Sequence, residues 1–474
     1  MINLTPFITP REQLKRLFWP VTMIISILSV SLARASSLGG TDIFWSARNG
    51  GDILQSGQVQ VFINDMWNVT ALGEQWSPNS WLWNVLLHVS YSLLGTAGFV
   101  VLTFITNTAI FALVWVFMKQ NQVPVAWQFF IMVGSWFVIL PYTNGRSNTV
   151  DFLILAAFLV AAKKLSDSPH WLVKWGVVVV SFAFSVLWIN FHLTGILAVV
   201  LFPMVVYGIT KRYLLSAVAA GAALVALPLS PFGVEALLKV STVQNASKGY
   251  FYEWSNVFSG GQINYAAALA LIIALVFMIV LLRQKQFLYA FGVAVLAYIA
   301  YDMIRISPYL WLVMIAGISM IKLKAFTKFV WPAAVGVITV MVFGAGLVTG
   351  FKTVMDPETA LPVDPSTFQD IPLNSIVAST NDAGNELILY RPDVLVTLDG
   401  RNDLLGKERY SESNNMFWEE DEQALEAWLS EYNIDAVFIP AGRGEKYSYD
   451  VIARNMESLG WNKIVRDNAV TFTK

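Results

Sequence analysis

The feature that most limits this chain is a series of apolar runs of about 20 residues, each closed off by polar clusters, the length an α-helix needs to cross a bilayer. Inside lipid every backbone N–H and C=O must be paired within its own segment, so such runs fold as helices. They fall at about 17–36, 97–118, 124–142, 149–162, 174–191, 193–210, 213–230, 263–282, 287–303, 307–321 and 329–350. This pattern predicts an α-helical polytopic membrane protein with about eleven spanning helices. Trp81 to Leu94 is apolar as well, but it carries Asn84 and His88 and reads as an amphipathic helix lying in the interface. The first run follows Arg11, Lys15 and Arg16, as in a signal peptide. It exceeds the usual signal core of about 7–15 residues, and many spans follow, so a retained helix is expected.

Composition agrees. Charged residues make up 13% of the 474, against about a quarter in a soluble protein. The deficit sits in the first three-quarters of the chain. A net charge of −1 gives no reason to expect a nucleic-acid partner. There is no cysteine, which excludes disulfides, thiolate nucleophiles and cysteine metal sites.

Lysine and arginine set the expected orientation. One set of short loops holds Arg11, Lys15, Arg16, Lys119, Lys163, Lys164, Lys174, Lys211, Arg212, Arg283, Lys285, Lys322, Lys324 and Lys328. The opposite set holds Arg34, Arg48, Arg146, Lys239, Lys248 and Arg305. The first set is expected in the cytoplasm of a cell whose inner, or plasma, membrane the chain crosses. With an odd number of spans the N-terminus is then cytoplasmic and the C-terminal domain extracytoplasmic. The cytoplasmic loops are too short to house a nucleotide-sugar or ATP site. The long connections, 37–80, 231–262 and the tail from 351, lie on the outer side, where function is expected.

Residues 1–350 thus read as a transmembrane domain and 351–474 as an extracytoplasmic α/β domain. Ser375 to Ser379, Val394 to Leu398, Asp435 to Ile439 and Ala469 to Thr473 read as strands; Glu420 to Tyr432 and Tyr447 to Leu459 read as helices. No G-x-G-x-x-G, P-loop or G-x-S-x-G is present, so a capping or acceptor-binding role is expected.

The polar residues of the outer side fall in five stretches. Asp42 opens the first loop in Thr41-Asp42-Ile43-Phe44-Trp45, beside aromatics that exclude water. A carboxylate there can act as a general base or hold a divalent cation; it can also simply cap a helix. Asp52, Asp65 and Glu74 read as solvated loop residues. Arg146 and Arg305 carry positive charge on the side where the orientation rule disfavours it. Their guanidinium forks suit a phosphate, with lipid-headgroup anchoring as the plainer reading. His192, in Trp188-Ile189-Asn190-Phe191-His192, can donate to a phosphate or a sugar hydroxyl, or pair with a neighbouring helix. Glu253-Trp254 sets a carboxylate beside an aromatic face, which suits a sugar; an interfacial aromatic belt explains the nearby tyrosines but not Glu253. Ionisable groups at a membrane boundary are functional candidates, and an acid/base beside phosphate-binding cations suggests transfer from a lipid phosphate.

These stretches resemble the C-type (GT-C) membrane glycosyltransferases, the superfamily of protein O-mannosyltransferases and lipid A aminoarabinose transferases, and most of all a poorly characterised bacterial branch. The resemblance runs through Asp42 to Ser46, the Gly50…Ile53…Gly57 pattern, Trp188-x-Asn190-x-His192, Glu253-Trp254 and Asp399-Gly400-Arg401. Ser46 departs from it, because the branch often has His after its tryptophans. The resemblance implies a polyprenyl-phosphate sugar donor, an inverting single displacement and Asp42 as the base or acceptor-positioning carboxylate. On that reading Arg305, Arg146 and His192 meet the donor phosphate, and Glu253, Trp45, Trp188 and Asn190 position substrate. The acceptor is an envelope glycan, lipid or protein. No cofactor is called for, and a divalent cation at Asp42 stays open. A lipid-linked glycan transporter or polymerase, and a non-catalytic envelope scaffold, are the alternatives. Transporters usually carry internal repeats and midplane polar groups, and neither stands out here.

The orientation is testable. A reporter active only in the cytoplasm, fused after Lys474, should be silent; strong signal would reverse the orientation.

Overall fold

In the computed structural model, helices form at ten of the eleven expected positions. The eleventh, 329–350, and the proposed domain boundary at 350 lie outside the described residues, which are 10–38, 41–59, 63–233, 252–258, 263–321, 364–440, 449–466 and 469–474. Among the described residues six helices are long and apolar enough to cross a membrane: Leu17–Ala35, Thr96–Gln120, Val125–Tyr142, Lys174–Phe191, Leu193–Thr210 and Tyr265–Arg283. Tyr213–Leu229, Phe287–Asp302 and Ile304–Met320 are apolar but shorter. Asn148–Ser166 is a 19-residue helix that carries Asp151 in its first turn and Lys163 and Lys164 in its last. The chain is a multi-pass membrane protein.

In chain order the helices are α1 (Pro10–Ala35), α2 (Asp42–Ser56), α3 (Trp81–Leu94), α4 (Thr96–Gln120), α5 (Val125–Ile139), α6 (Asn148–Ser166), α7 (Trp171–Phe191), α8 (Ala198–Thr210), α9 (Tyr213–Ala226), α10 (Tyr265–Arg283), α11 (Phe287–Asp302) and α12 (Ser307–Gly317). α12 is enclosed along its whole length. It packs against α5, α8, α10 and α11, with Trp311 Nε1 donating to Ser135 Oγ at 2.9 Å and Tyr289 Oη of α11 donating to Val313 O at 2.5 Å.

The first long connection is not all loop. α2 occupies Asp42–Ser56 and lies against α3. Two glycines of α2 serve this packing. A Cβ on Gly50 would overlap the backbone of Asn84, and one on Gly51 would strike the His88 ring. Gly57 ends the helix in the left-handed conformation, φ 64°. Asn84 Nδ2 then donates to Asn49 Oδ1 across the joint at 2.9 Å. A short antiparallel ladder, Ile63–Asn64 (β1) with Gln75–Trp76 (β2), closes the connection.

The C-terminal region is a five-stranded sheet in the order β4-β3-β5-β7-β6. β3 (Ile376–Ser379) pairs in parallel with β4 (Leu395–Val396) and β5 (Ala436–Pro440); β7 (Ala469–Thr473) runs antiparallel to β5 and to β6 (Asn462–Arg466). The four expected strands form, and β6 was not expected. Helices α13 (Asn381–Tyr390), α14 (Asn402–Asn415), α15 (Glu422–Glu431) and α16 (Asp450–Ser458) accompany the sheet. α15 and α16 match the two expected helices; α13 and α14 are additional. α13 packs on α2, so this layer sits directly on the first connection.

The two are joined by a buried charge cluster that corrects the solvated reading of Asp65. Arg401, Asp399 and Asp65 have no exposed side-chain surface. Arg401 forks onto Asp399 (Nε to Oδ1 2.9 Å, Nη2 to Oδ2 2.8 Å) and reaches Asp65 Oδ1 through Nη1 at 2.5 Å. Asn68 Nδ2 donates to Asp399 Oδ2 at 3.0 Å, and the guanidinium lies over the rings of Trp67 and Trp76. Burial lifts the Asp65 carboxyl against the pull of Arg401. Burial opposes ionisation of Asp399 too, but Arg401 outweighs it and holds that carboxyl below its ordinary value. Val396 N donates to Trp67 O at 2.9 Å, extending the sheet edge into the connection. Of the other two carboxylates, Asp52 pairs with Arg48 and Glu74 with Arg409 near the surface.

Removing Arg401 strands two buried carboxylates, a loss of about 3–5 kcal/mol. Arg401→Leu should sharply lower the melting temperature in detergent. Adding Asp65→Asn and Asp399→Asn should recover part of the loss, and an unchanged melt for Arg401→Leu would remove the clamp from this account.

Candidate functional site

Asp42 lies in the first turn of α2. It does not cap the helix: Thr41 holds the cap position, and the Asp42 carboxylate turns to Arg146. Arg146 follows Gly145, whose φ of 85° suits glycine. The carbonyl of Gly145 accepts Trp83 Nε1 at 3.0 Å, which holds the turn against α3. Glu253 and Trp254 come from a single 3₁₀ turn, Tyr252–Trp254, and Arg305 from another, Ile304–Ile306. Ile304 N donates to Ser255 O at 3.1 Å and joins the two turns.

The four ionisable groups form one chain. Arg146 Nε donates to Asp42 Oδ2 at 2.7 Å, Nη2 contacts the same oxygen, and Nη1 reaches Glu253 Oε2 at 3.2 Å. Arg305 Nη1 lies 3.7 Å from Glu253 Oε1, with its guanidinium 4.2 Å from the Trp254 ring centre. Trp45 Nε1 is 3.4 Å from Asp42 Oδ1. Burial raises the Asp42 carboxyl above its ordinary 3.8, with Arg146 opposing and Glu253 adding to the rise. At Glu253 burial acts in the same direction, but Arg146 and then Arg305 outweigh it and hold that carboxyl low. The two carboxylates are thus driven apart, one toward proton uptake and one toward permanent charge.

These residues line a cleft that also includes Ser46, Asn79, Ser80, Ser147, Asn148 and His192 from the membrane part, and Gly400, Asn402 and Asp403 from the C-terminal layer. Six of the eight expected site residues, Asp42, Trp45, Arg146, His192, Glu253 and Arg305, meet there. Ser46, the position that departs from the resemblance, is in the lining as well. Trp188 and Asn190 are elsewhere. Trp188 is fully buried and donates to Asp151 Oδ1 at 2.8 Å, while Asn190 accepts Trp81 Nε1 at 3.1 Å. Trp188 stands behind His192 through their shared partner Asp151, and Asn190 ties α7 to Trp81 and to the Leu229 carbonyl. Among the described residues, no three His, Asp or Glu side chains gather as a metal site.

Two contributions were not anticipated. Asp151, inside an expected span, holds His192 from behind; its signal was a carboxylate at the start of an apolar run. The other is the contact made by Gly400, which the sequence marked only as part of the Asp399-Gly400-Arg401 motif. Its N–H donates to Asn385 Oδ1 at 2.7 Å, Asn385 Nδ2 donates to Thr41 Oγ1 at 2.8 Å, and Thr41 Oγ1 donates to Asp382 Oδ1 at 2.7 Å. A Cβ on Gly400 would overlap Asp42 Oδ1. Arg401 of the same Asp-Gly-Arg motif is in the clamp, so the motif both fixes the C-terminal layer and lets its backbone approach Asp42.

No protein-family model matches the chain, and no curated protein matches it in sequence. Its fold is shared with solved structures of the Archaeoglobus fulgidus oligosaccharyltransferase. The apo form aligns with a TM-score of 0.54 at 12% identity, covering 90% of this chain and 70% of that one. The same enzyme tethered to an acceptor peptide containing the NVT sequon, and the enzyme AglB in complex with an inhibitory peptide and a dolichol-phosphate, each align at 0.53 and 11% identity over the same shares. At this identity the likeness is one of fold.

Adding a methyl group at Gly400 forces the C-terminal layer away from Asp42. Gly400→Ala should cost about 1–3 kcal/mol, as overpacking does. It should lower the melting temperature well beyond an Asn402→Ala control; equal melts would show the approach to be slack.

Proposed function

We propose that this chain is a GT-C-type glycosyltransferase of the inner, or plasma, membrane. It moves a sugar from a polyprenyl-phosphate-linked donor to an envelope glycan, lipid or protein on the extracytoplasmic side. The observation that carries this reading is the linked set Asp42–Arg146–Glu253–Arg305 in one cleft at the end of an apolar bundle. It combines a carboxylate raised toward proton uptake with two guanidiniums suited to a phosphate. The fold shared with an oligosaccharyltransferase, which has been solved with a dolichol-phosphate, supports the same class of donor.

In this scheme Asp42 takes the proton of the acceptor hydroxyl as its oxygen attacks the anomeric carbon. The bond from that carbon to the phosphate oxygen breaks, and the lipid phosphate leaves with the electron pair. Arg305, Arg146 and His192 stabilise the charge that develops on it. Glu253 and Trp45 position the sugar or acceptor. Trp188 and Asn190 support the fold behind His192 rather than touch substrate.

The test begins with a deletion strain, whose envelope lipids, proteins and polysaccharides should lack one glycoform. The wild-type gene should restore it; an unchanged envelope would overturn the reading. Asp42→Asn removes charge and proton affinity while keeping size. Turnover per folded molecule should fall about 10²-fold or more. Donor binding should hold or tighten, because Arg146 is released from its carboxylate. Near wild-type turnover would remove Asp42 as base. Since Asp42 must be ionised to act, the acidic limb of the rate profile should lie above the ordinary carboxylate value of 3.8.

A further inference from the structure

Asp151 has no exposed side-chain surface, and it lies in the first turn of α6. A carboxyl group buried in that position needs its oxygens well supplied with hydrogen-bond donors. They are. Trp188 Nε1 donates at 2.8 Å from α7, His192 Nδ1 at 2.8 Å and Thr194 Oγ1 at 2.6 Å from the turn after it, and Tyr309 Oη at 2.5 Å from α12. The positive end of α6 adds to their effect. Apolar residues would join these helices without burying polar groups, so helix packing alone does not account for the cluster.

Of the four donors, His192 alone lines the cleft. Nδ1 lies 2.8 Å from Asp151 Oδ2 and 2.7 Å from Thr194 Oγ1; because the Thr194 hydroxyl already donates to Asp151, the arrangement is satisfied with the proton on Nδ1, which sets the tautomer and plane of the ring. Nε2 is the remaining ring nitrogen, and Glu253 and Arg305 line the same cleft as His192. We propose that Asp151 is a positioning residue, which acts through His192 to present Nε2 to the phosphate of the lipid-linked donor. This rests on reading the cleft as a donor-phosphate site. To donate to a phosphate oxygen Nε2 must carry a proton as well, taken from solvent as the ligand binds, so that the ring bridges Asp151 and the ligand.

The chain has three histidines, so ring ¹⁵N labelling resolves His192 after assignment with His192→Gln. In the purified full-length protein the ring should show a single Nδ1–H tautomer. Asp151→Asn has one acceptor oxygen where the carboxylate has two, and cannot serve donors on both sides. It should give a mixture of tautomers in a protein that still melts cooperatively. A His192 ring unchanged in Asp151→Asn would overturn the positioning role, whatever the ligand. The second measurement is binding of a short-chain polyprenyl phosphate. Asp151→Asn and His192→Gln should each weaken it about tenfold, the scale of one charge-assisted contact. The double variant should be no weaker than His192→Gln alone. Additive losses would show that Asp151 acts elsewhere and overturn the inference. Absence of binding by the wild-type protein would instead overturn the donor reading, and with it the phosphate half of the inference, while the tautomer measurement still decides the positioning half.

Discussion

The arrangement depends on one buried guanidinium. Arg401 is shared between Asp399 of its own layer and Asp65 of the first connection, 336 residues away, beneath two tryptophans. A single ion pair at a surface would add almost nothing to stability. Here all three groups are out of water, so each is tolerable only while the others are present. That mutual need seats the C-terminal sheet on α2. Because it is seated, Gly400 can lie against Asp42, and Thr41 can be held by Asn385 and Asp382. The carboxylate that faces Arg146 is therefore fixed by contacts made far from it in sequence.

The cleft itself is assembled from short, irregular pieces at the ends of long helices. Arg146 sits on a glycine turn, Glu253 and Arg305 on single 3₁₀ turns, and His192 where α7 gives way to extended backbone. Helices supply rigidity, and their ends supply backbone direction. This division explains how an apolar bundle can present five ionisable side chains at one end.

Much of this was legible beforehand, for a physical reason. In a chain with 13% charged residues, an Arg on the disfavoured side of the membrane or a Glu in an aromatic loop stands out. Hence Asp42, Arg146, His192, Glu253 and Arg305 were found. Trp188 and Asn190 shared a motif with His192, but only the last residue of that motif faces the cleft, since helix rotation turns the others into the wall. Asp65 looked solvated because its partner is remote and a pairing across hundreds of residues leaves no local signature. Asp151 was hidden by its setting, a run apolar enough to count as a span. α2 was missed because Gly50 and Gly51 imitate a loop, and only packing against α3 reveals why a helix wants them. β6 was missed because Asn462–Arg466 is a mostly exposed edge strand with little apolar content.

One consequence follows from the way the cations of the cleft are already committed. Arg146 is held by Asp42 and Glu253, and Arg305 faces Glu253 while covering Trp254. Among the described residues, such a cleft offers no bare positive field to pull anions from solution. An entering phosphate must trade places with a carboxylate that is already there, so its gain is only the difference between two similar contacts. A free inorganic anion has nothing further to contribute to that exchange. On the proposed reading, a ligand concentrated at the bilayer by a hydrocarbon tail starts with an advantage that owes nothing to charge, and the internal ion pairs would then act as a filter for molecules that arrive from the membrane.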